Sequence, residues 1–229
     1  MRSIVSLILL VVIAVGFGLA LLAIPFGAAK TEVGDHYTAN GREDTGASNI
    51  VTSVVVGYRA FDTLGEITVL FVAALGLGAV VATGSRGNDR REIEPASLVL
   101  KTGCRLLFPL ILLFGAYVFI HGHVTPGGGF QGGAIIASAF LLVYLGCRGR
   151  RIGRISSTVA ESLSGLVFVV MGLLGLTVGT GYFLSNFMPH GVLNQVWSAG
   201  IIPVIYVAVG FKVGSELAGV IDKLVEETG

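Results

Sequence analysis

Charge is scarce in this sequence. Only 13% of its 229 residues are Asp, Glu, Lys or Arg, against roughly 25% in an ordinary soluble domain, which excludes a single core wrapped in a water-facing surface. Cysteine is scarcer still. Cys104 and Cys147 form no CxxC and no Cys/His cluster, which excludes a zinc or iron–sulfur site and leaves two small packing residues. No lysine follows a glycine tract in Walker fashion, and no Ser/His/Asp set or haem-ligand pair can be assembled. An enzyme and a bound cofactor are therefore not expected. The formal net charge of +1 supplies no basic field for a nucleic acid. There is no internal repeat either.

What the chain has instead is apolar length. Crossing about 30 Å of hydrocarbon takes roughly 20 helical residues, and six stretches qualify: Ile4 to Phe26, Thr63 to Ala82, Leu98 to Ile120, Phe130 to Cys147, Val159 to Phe183 and Val196 to Phe211. The first follows Arg2 and invites a signal-peptide reading, but it is too long for a typical h-region. The expected fold is all-α, a polytopic protein of the cell membrane with the lipid bilayer as its main surroundings. Basic residues fix the expected orientation, since Lys and Arg favour cytoplasmic connectors. Arg2, then Arg86, Arg90 and Arg91, then Arg148, Arg150, Arg151 and Arg154, then Lys223 fall on one side, whereas the opposite connectors hold only Lys30 and Arg42. Both termini are expected to be cytoplasmic.

The polar tract GSRGNDRREIEP from Gly84 to Pro95 reads as a joint. It suggests a two-helix module over 1–84, a cytoplasmic linker over 85–97 and a four-helix domain over 98–229. The outer loop from Lys30 to Ser48 reads as irregular.

Several polar groups need an explanation in so apolar a chain. Arg59, Asp62 and Glu66 are spaced three and four apart, one face of a helix. Charge at the bilayer centre costs about 2.5–3.5 kcal/mol on the most lenient scale, so depth decides whether this stripe belongs to an ion path or rests at the outer interface. The helical run from Asn49 is too long for one straight span, and a break at Gly57 or Gly65 would leave Asn49 to Arg59 along the membrane surface with Asp62 and Glu66 at the break. HGHVTPGGGFQGG joins the third and fourth spans. Pro126, Gly127, Gly128 and Gly129 cannot continue a helix, so a tight structural turn follows, and Gly132 and Gly133 then permit close helix packing. His121 and His123 are candidates for a proton relay or for anchoring this loop. Lys101 and Arg105 share one helix face, as snorkelling cations or as contacts to a neighbouring protein of the membrane. Glu161 is a candidate charge contact too, and with Thr158 it fits a capping box opening the fifth helix. Gly175 and Gly179 make a GxxxG packing face.

The stretch from Thr102 to Gly146, centred on GAYVFIHGHVTPGGGFQGG, resembles the MrpB (MnhB-like) component of the Mrp-type cation/proton antiporters. In addition, NIVTSVVVGYRAFDTLGEITVL, from Asn49 to Leu70, is similar to the carboxy-terminal membrane segment of the large MrpA component of the same antiporters. The two meet at the charged linker and imply a fusion. Similar pieces occur in membrane-bound hydrogenase-type respiratory complexes. The resemblance implies a non-catalytic membrane subunit that contributes to Na⁺/H⁺ translocation and assembly, with other Mrp-type membrane subunits as partners and, in a respiratory complex, hydrogenase-like iron–sulfur subunits. It makes Asp62 and Glu66 candidates for the ion path, with Arg59 as charge partner. The alternatives are a scaffold subunit with no ion path and an independent small transporter.

Overall fold

The computed structural model describes residues 2–23, 32–84, 96–147 and 154–228. The chain divides into two compact units, Met1–His36 and Tyr37–Gly229. In the first, helix α1 (Arg2–Ala23) is aliphatic on every side, as a helix in hydrocarbon requires. Helix α2 (Glu32–Thr45) crosses the boundary between the units. It corrects the expectation of an irregular loop. No apolar stripe marks this helix, but Glu32 and Asp35 stand in its first turn and Arg42 in its last, the arrangement that complements the helix dipole.

In the second unit a short turn, α3 (Ile50–Thr52), opens under an Asn49 cap and runs into a π-helical segment, Ser53–Tyr58. Helix α4 (Ala60–Gly84) follows, then α5 (Leu98–Ile120), α6 (Gly129–Gly146), α7 (Arg154–Val178) and α8 (Ile202–Thr228). Six helices are long and apolar enough to cross a membrane: Ile4–Leu22, Ala60–Val81, Leu98–Ile120, Gly129–Gly146, Ser157–Val178 and Ile202–Val225. The expected all-α polytopic fold is present, with no strand among the described residues. Two boundaries differ from expectation. The sixth span starts at Ile202 and continues through Lys212 and Glu216 instead of stopping at Phe211. The fifth helix starts at Arg154, so Glu161 lies two turns inside and the capping box with Thr158 is not its opening.

Helix α8 is the axis of the second unit and packs against α4, α5, α6 and α7. More than half of its spanning residues are buried. The core gathers Ile205, Val209 and Val213 from α8, Phe168 from α7, Val56 from the π segment, and Ala60 and Ile67 from α4. Phe183 and Leu184, in the connector after α7, join the same core. Close approach of α6 depends on missing side chains. A Cβ at Gly132 would lie 2.7 Å from the Gly115 carbonyl oxygen of α5, and one at Gly133 would lie 2.8 Å from Val213 Cβ of α8. Both distances are shorter than a carbon can tolerate, so these two glycines set the helix spacing as the sequence suggested.

The connectors that precede α4, α6 and α8 meet at one end of this unit. Ser48 Oγ donates to Asn194 Oδ1 at 2.7 Å, and Asn49 N donates to the His123 carbonyl at 3.0 Å. That end is called the outer end below, after the orientation expected from the basic residues. Most of the expected linker, residues 85–95, and the basic residues Lys30, Arg86, Arg90, Arg91, Arg148, Arg150 and Arg151 lie outside the described residues.

Candidate functional site

The first polar region sits at the start of α4. The π segment ends when Arg59 N donates to the Val54 carbonyl at 2.8 Å, a five-residue spacing, and Arg59 itself is non-helical. The break therefore falls at Arg59, not at Gly57 or Gly65; Gly57 lies inside the π turn and Gly65 inside α4. Thr63 Oγ1 donates to the Val55 carbonyl at 3.0 Å, satisfying a backbone group near the irregular turn. Past the break, Ala60, Thr63 and Ile67 turn inward and are buried, whereas Arg59, Asp62 and Glu66 occupy the opposite face and are exposed. Arg59 is ion-paired with Asp62. Glu66 is one turn further on. The Tyr58 phenol, just before the break, donates to Asp44 and stacks on Tyr37 with ring centroids 4.5 Å apart. Burial and the Asp44 carboxylate push that phenol up to about 12.

The HGHVTPGGGFQGG loop is held from below by α3. Asn49 Nδ2 donates to the carbonyls of Gly122 at 2.8 Å and Thr125 at 3.1 Å. Thr52 Oγ1 donates to Gly122 O at 2.9 Å and accepts from the Tyr206 hydroxyl of α8 at 2.7 Å. His121 ends α5, stacked on Tyr117 with centroids 4.4 Å apart. His123 is fully buried, with Nε2 at 3.4 Å from the Gln195 carbonyl. Its burial holds the imidazole below the ordinary 6.5, helped by His121 and opposed by the Gln195 and Val196 carbonyls. The two histidines thus differ: His123 is locked into the loop's interior, and His121 lies partly exposed at its edge. Pro126 is exposed, Gly127 is partly buried, and Gly128 precedes α6, which opens at Gly129.

Lys101 and Arg105 are exposed on α5, and neither is brought to Glu161. Beside them Cys104 Sγ lies 3.1 Å from Cys147 Sγ, both thiols being free.

The second polar region was not legible in the sequence. Lys212 of α8 points its ammonium at two carboxylates, Glu216 Oε2 at 2.8 Å on its own helix and Glu161 Oε1 at 3.1 Å on α7. The Phe71 ring of α4 covers the ammonium at 5.0 Å from its centroid. Lys212 is 6% exposed and Glu216 3%, so the pair is a buried one and depends on its mutual compensation. Lys212 lies ten residues after Ile202, about 15 Å along the helix at 1.5 Å per residue, close to the middle of the span. The signal that could have found it is the spacing Lys212 to Glu216, one helical turn, inside an otherwise apolar run. Among the described residues no group of three or more metal-ligating side chains converges.

Likenesses to known proteins cover nearly the whole chain. Residues 99–219 match the family described as a domain related to the MnhB subunit of Na⁺/H⁺ antiporters, and residues 2–86 match the MbhE family, a component of MBH. The MnhB-type Na⁺/H⁺ antiporter protein of Alkalihalophilus pseudofirmus is 36% identical over 102 residues, which is 42% of this chain and 69% of that one. In the solved structure of the membrane-bound sulfane sulfur reductase, an archaeal respiratory membrane complex, one chain is 44% identical with a TM-score of 0.75, covering 98% of both chains. In the Mrp complex from Dietzia sp. one chain is 30% identical with a TM-score of 0.72, and 97% of this chain corresponds to 26% of it. Together with six spans, these likenesses carry both the location and the role. The chain belongs to the family of domains related to the MnhB subunit of Na⁺/H⁺ antiporters, and is a multi-pass membrane subunit of an antiporter-type module, a component of a transporter that works with other membrane subunits.

Proposed function

We propose that this subunit lines the outer opening of a Na⁺/H⁺ path that neighbouring membrane subunits complete. One observation carries the reading: Arg59, Asp62 and Glu66 lie within the first two turns of α4 on the face turned away from this chain's own core. Charged groups at the edge of an apolar span favour a polar protein neighbour or a water-filled path over lipid. An ion pair with a further carboxylate one turn on is suited to handing a cation inward. The chain then contributes binding groups and assembly surface and performs no catalysis of its own. Lys101 and Arg105, exposed on α5, serve as cationic contacts to a neighbouring subunit. His121 can relay protons at the loop's edge, while His123 anchors the loop.

In this reading the termini are cytoplasmic, and a two-helix module over 1–84 is joined by the linker 85–97 to the four-helix domain 98–229. The end-to-end likeness to a chain of a respiratory membrane complex supports a setting in which iron–sulfur subunits of hydrogenase type supply the driving reaction. Mild-detergent purification of the intact complex and mass spectrometry of its stoichiometric partners test that setting; antiporter subunits alone would place the chain in a stand-alone exchanger.

The path itself is tested by Glu66→Gln and Asp62→Asn in the intact complex, with Na⁺-dependent proton movement followed in sealed vesicles. The expected result is a loss of transport of tenfold or more, on the order of 1.4 kcal/mol, at unchanged subunit composition. Full transport in both variants would leave a scaffold role and sink the path.

A further inference from the structure

We propose that Glu216 is a proton-binding carboxylate inside this chain, so that the subunit carries a protonation site of its own, distinct from the outer stripe on α4. The first ground is charge. With Lys212 as ammonium and both Glu161 and Glu216 ionised, the triad holds one positive and two negative charges in an apolar layer. One added proton makes it neutral, and neutrality is what burial rewards.

The second ground is an unmatched atom. Glu216 Oε2 is taken by Lys212 at 2.8 Å, but Glu216 Oε1 is buried with no hydrogen-bond partner among the described residues. A buried carboxylate oxygen left unpaired is costly, and protonation turns it into a hydroxyl that can donate. The third ground is access. Glu216 and Glu161 both line a cavity of about 130 Å³ between α4, α6, α7 and α8, and a water needs only about 10–15 Å³ of such volume. The cavity runs from Glu216 past the Tyr144 hydroxyl and past Ser157 and Thr158 at the start of α7. It ends beside Asp222 and Lys223, near the end of α8. It therefore leads toward the end of the bundle opposite the outer loops.

The ionisable groups facing Glu216 are Lys212, Asp222 and Lys223 of α8, Glu161 of α7 and Tyr144 of α6; α4 presents Phe71, Ala74 and Leu75, and α5 lines none of the cavity. A metal cation is disfavoured because the Lys212 ammonium already occupies the position between the carboxylates. A proton requires one lone pair only. The step is the addition of H⁺ from cavity water to Oε1, turning carboxylate into carboxylic acid with no other bond made or broken.

The test is independent of transport and so separates this site from the outer path. Infrared difference spectra of the full chain in lipid nanodiscs are recorded between alkaline and acidic pH, in H₂O and in D₂O. The expected result is a carbonyl band of a protonated carboxylic acid that grows on acidification and shifts in D₂O. At one fixed pH, Glu216→Gln removes the band, Glu161→Gln weakens it by removing the second negative charge, and Lys212→Met strengthens it. Glu66→Gln leaves it unchanged. Absence of a titrating buried-acid band in the unmodified chain overturns the proposal, whatever the variants do. Persistence of the full band in Glu216→Gln overturns it as well. Should Glu216→Gln not fold, the opposite responses of Glu161→Gln and Lys212→Met decide, and equal responses refute it.

Discussion

Two ionic groups occupy different depths of this chain, and they have opposite relations to the fold. The Lys212–Glu216–Glu161 triad is buried between α7 and α8, and the packing of the bundle depends on its charges matching. The Arg59–Asp62–Glu66 stripe is exposed on α4, and the core beneath it, Ala60, Thr63 and Ile67, is complete without it. Removing a charge from the first disturbs the protein itself. Removing one from the second disturbs only what meets the surface.

The largest expected effect follows from Lys212→Met, which leaves Glu216 buried without its cation. Breaking one partner of a buried pair costs about 3–5 kcal/mol, and denaturant unfolding in detergent followed by circular dichroism would show it. The double change Lys212→Met with Glu216→Met should recover most of that loss, since well-packed apolar replacements of buried pairs are often neutral. A double variant as unstable as the single one would mean that the triad stabilises the fold for another reason.

At the outer end the largest effect should come from Asn49→Ala. It removes the cap of α3 and the donor to the Gly122 and Thr125 carbonyls, and the lost cap and bonds are worth about 1–2 kcal/mol. Proteolysis within the His121–Gly128 loop should quicken accordingly. A gentler effect is expected of pH. His123 is held below 6.5 by burial, so the unfolded chain binds the proton first as pH falls. The stability due to neutral His123 is complete above pH 6.5, declines as pH falls from there toward the lowered folded value, and is lost below it. Melting temperatures measured across that window should fall with pH in the native chain and lose that slope in His123→Gln.

The smallest effect on stability belongs to Asp62→Asn. The Arg59–Asp62 pair is exposed, and such pairs are worth about 0–1 kcal/mol. Unfolding midpoints should barely move while ion transport by the assembled complex falls. A stability loss as large as that of Lys212→Met would erase the distinction between the two regions.

The sequence showed the outer stripe and hid the inner triad, for one physical reason. Spans are recognised by uninterrupted apolar length, and the runs ending at Ile120 and Gly146 stand out because little that is charged interrupts them. Lys212 interrupts its run and so resembles a membrane boundary. Only the fold reveals that Glu216 one turn on and Glu161 on another helix cancel the charge that would have ended the span. Helix α2 was missed for the opposite reason, since its stability owes nothing to an apolar stripe. The glycines of α6 were legible because Gly132 and Gly133 leave room that any larger residue would fill. Arg59, Asp62 and Glu66 were legible as a face because three-and-four spacing survives in α4, although which way the face turns depended on the break before it.

That break makes the stripe's bearing a matter of counting. A π turn holds one residue more than the α-helical turn it replaces, and each α-helical residue advances the helix by about 100°. Deleting a single residue between Ser53 and Tyr58 would let the segment relax toward α-helix while α4 stays packed through Ile67. Everything upstream, with the Asn49 clasp on the loop, would then have to swing by about a quarter turn or give up its grip. The extra residue acts as a shim, letting one end of the segment hold the loop while the other aims three charges outward.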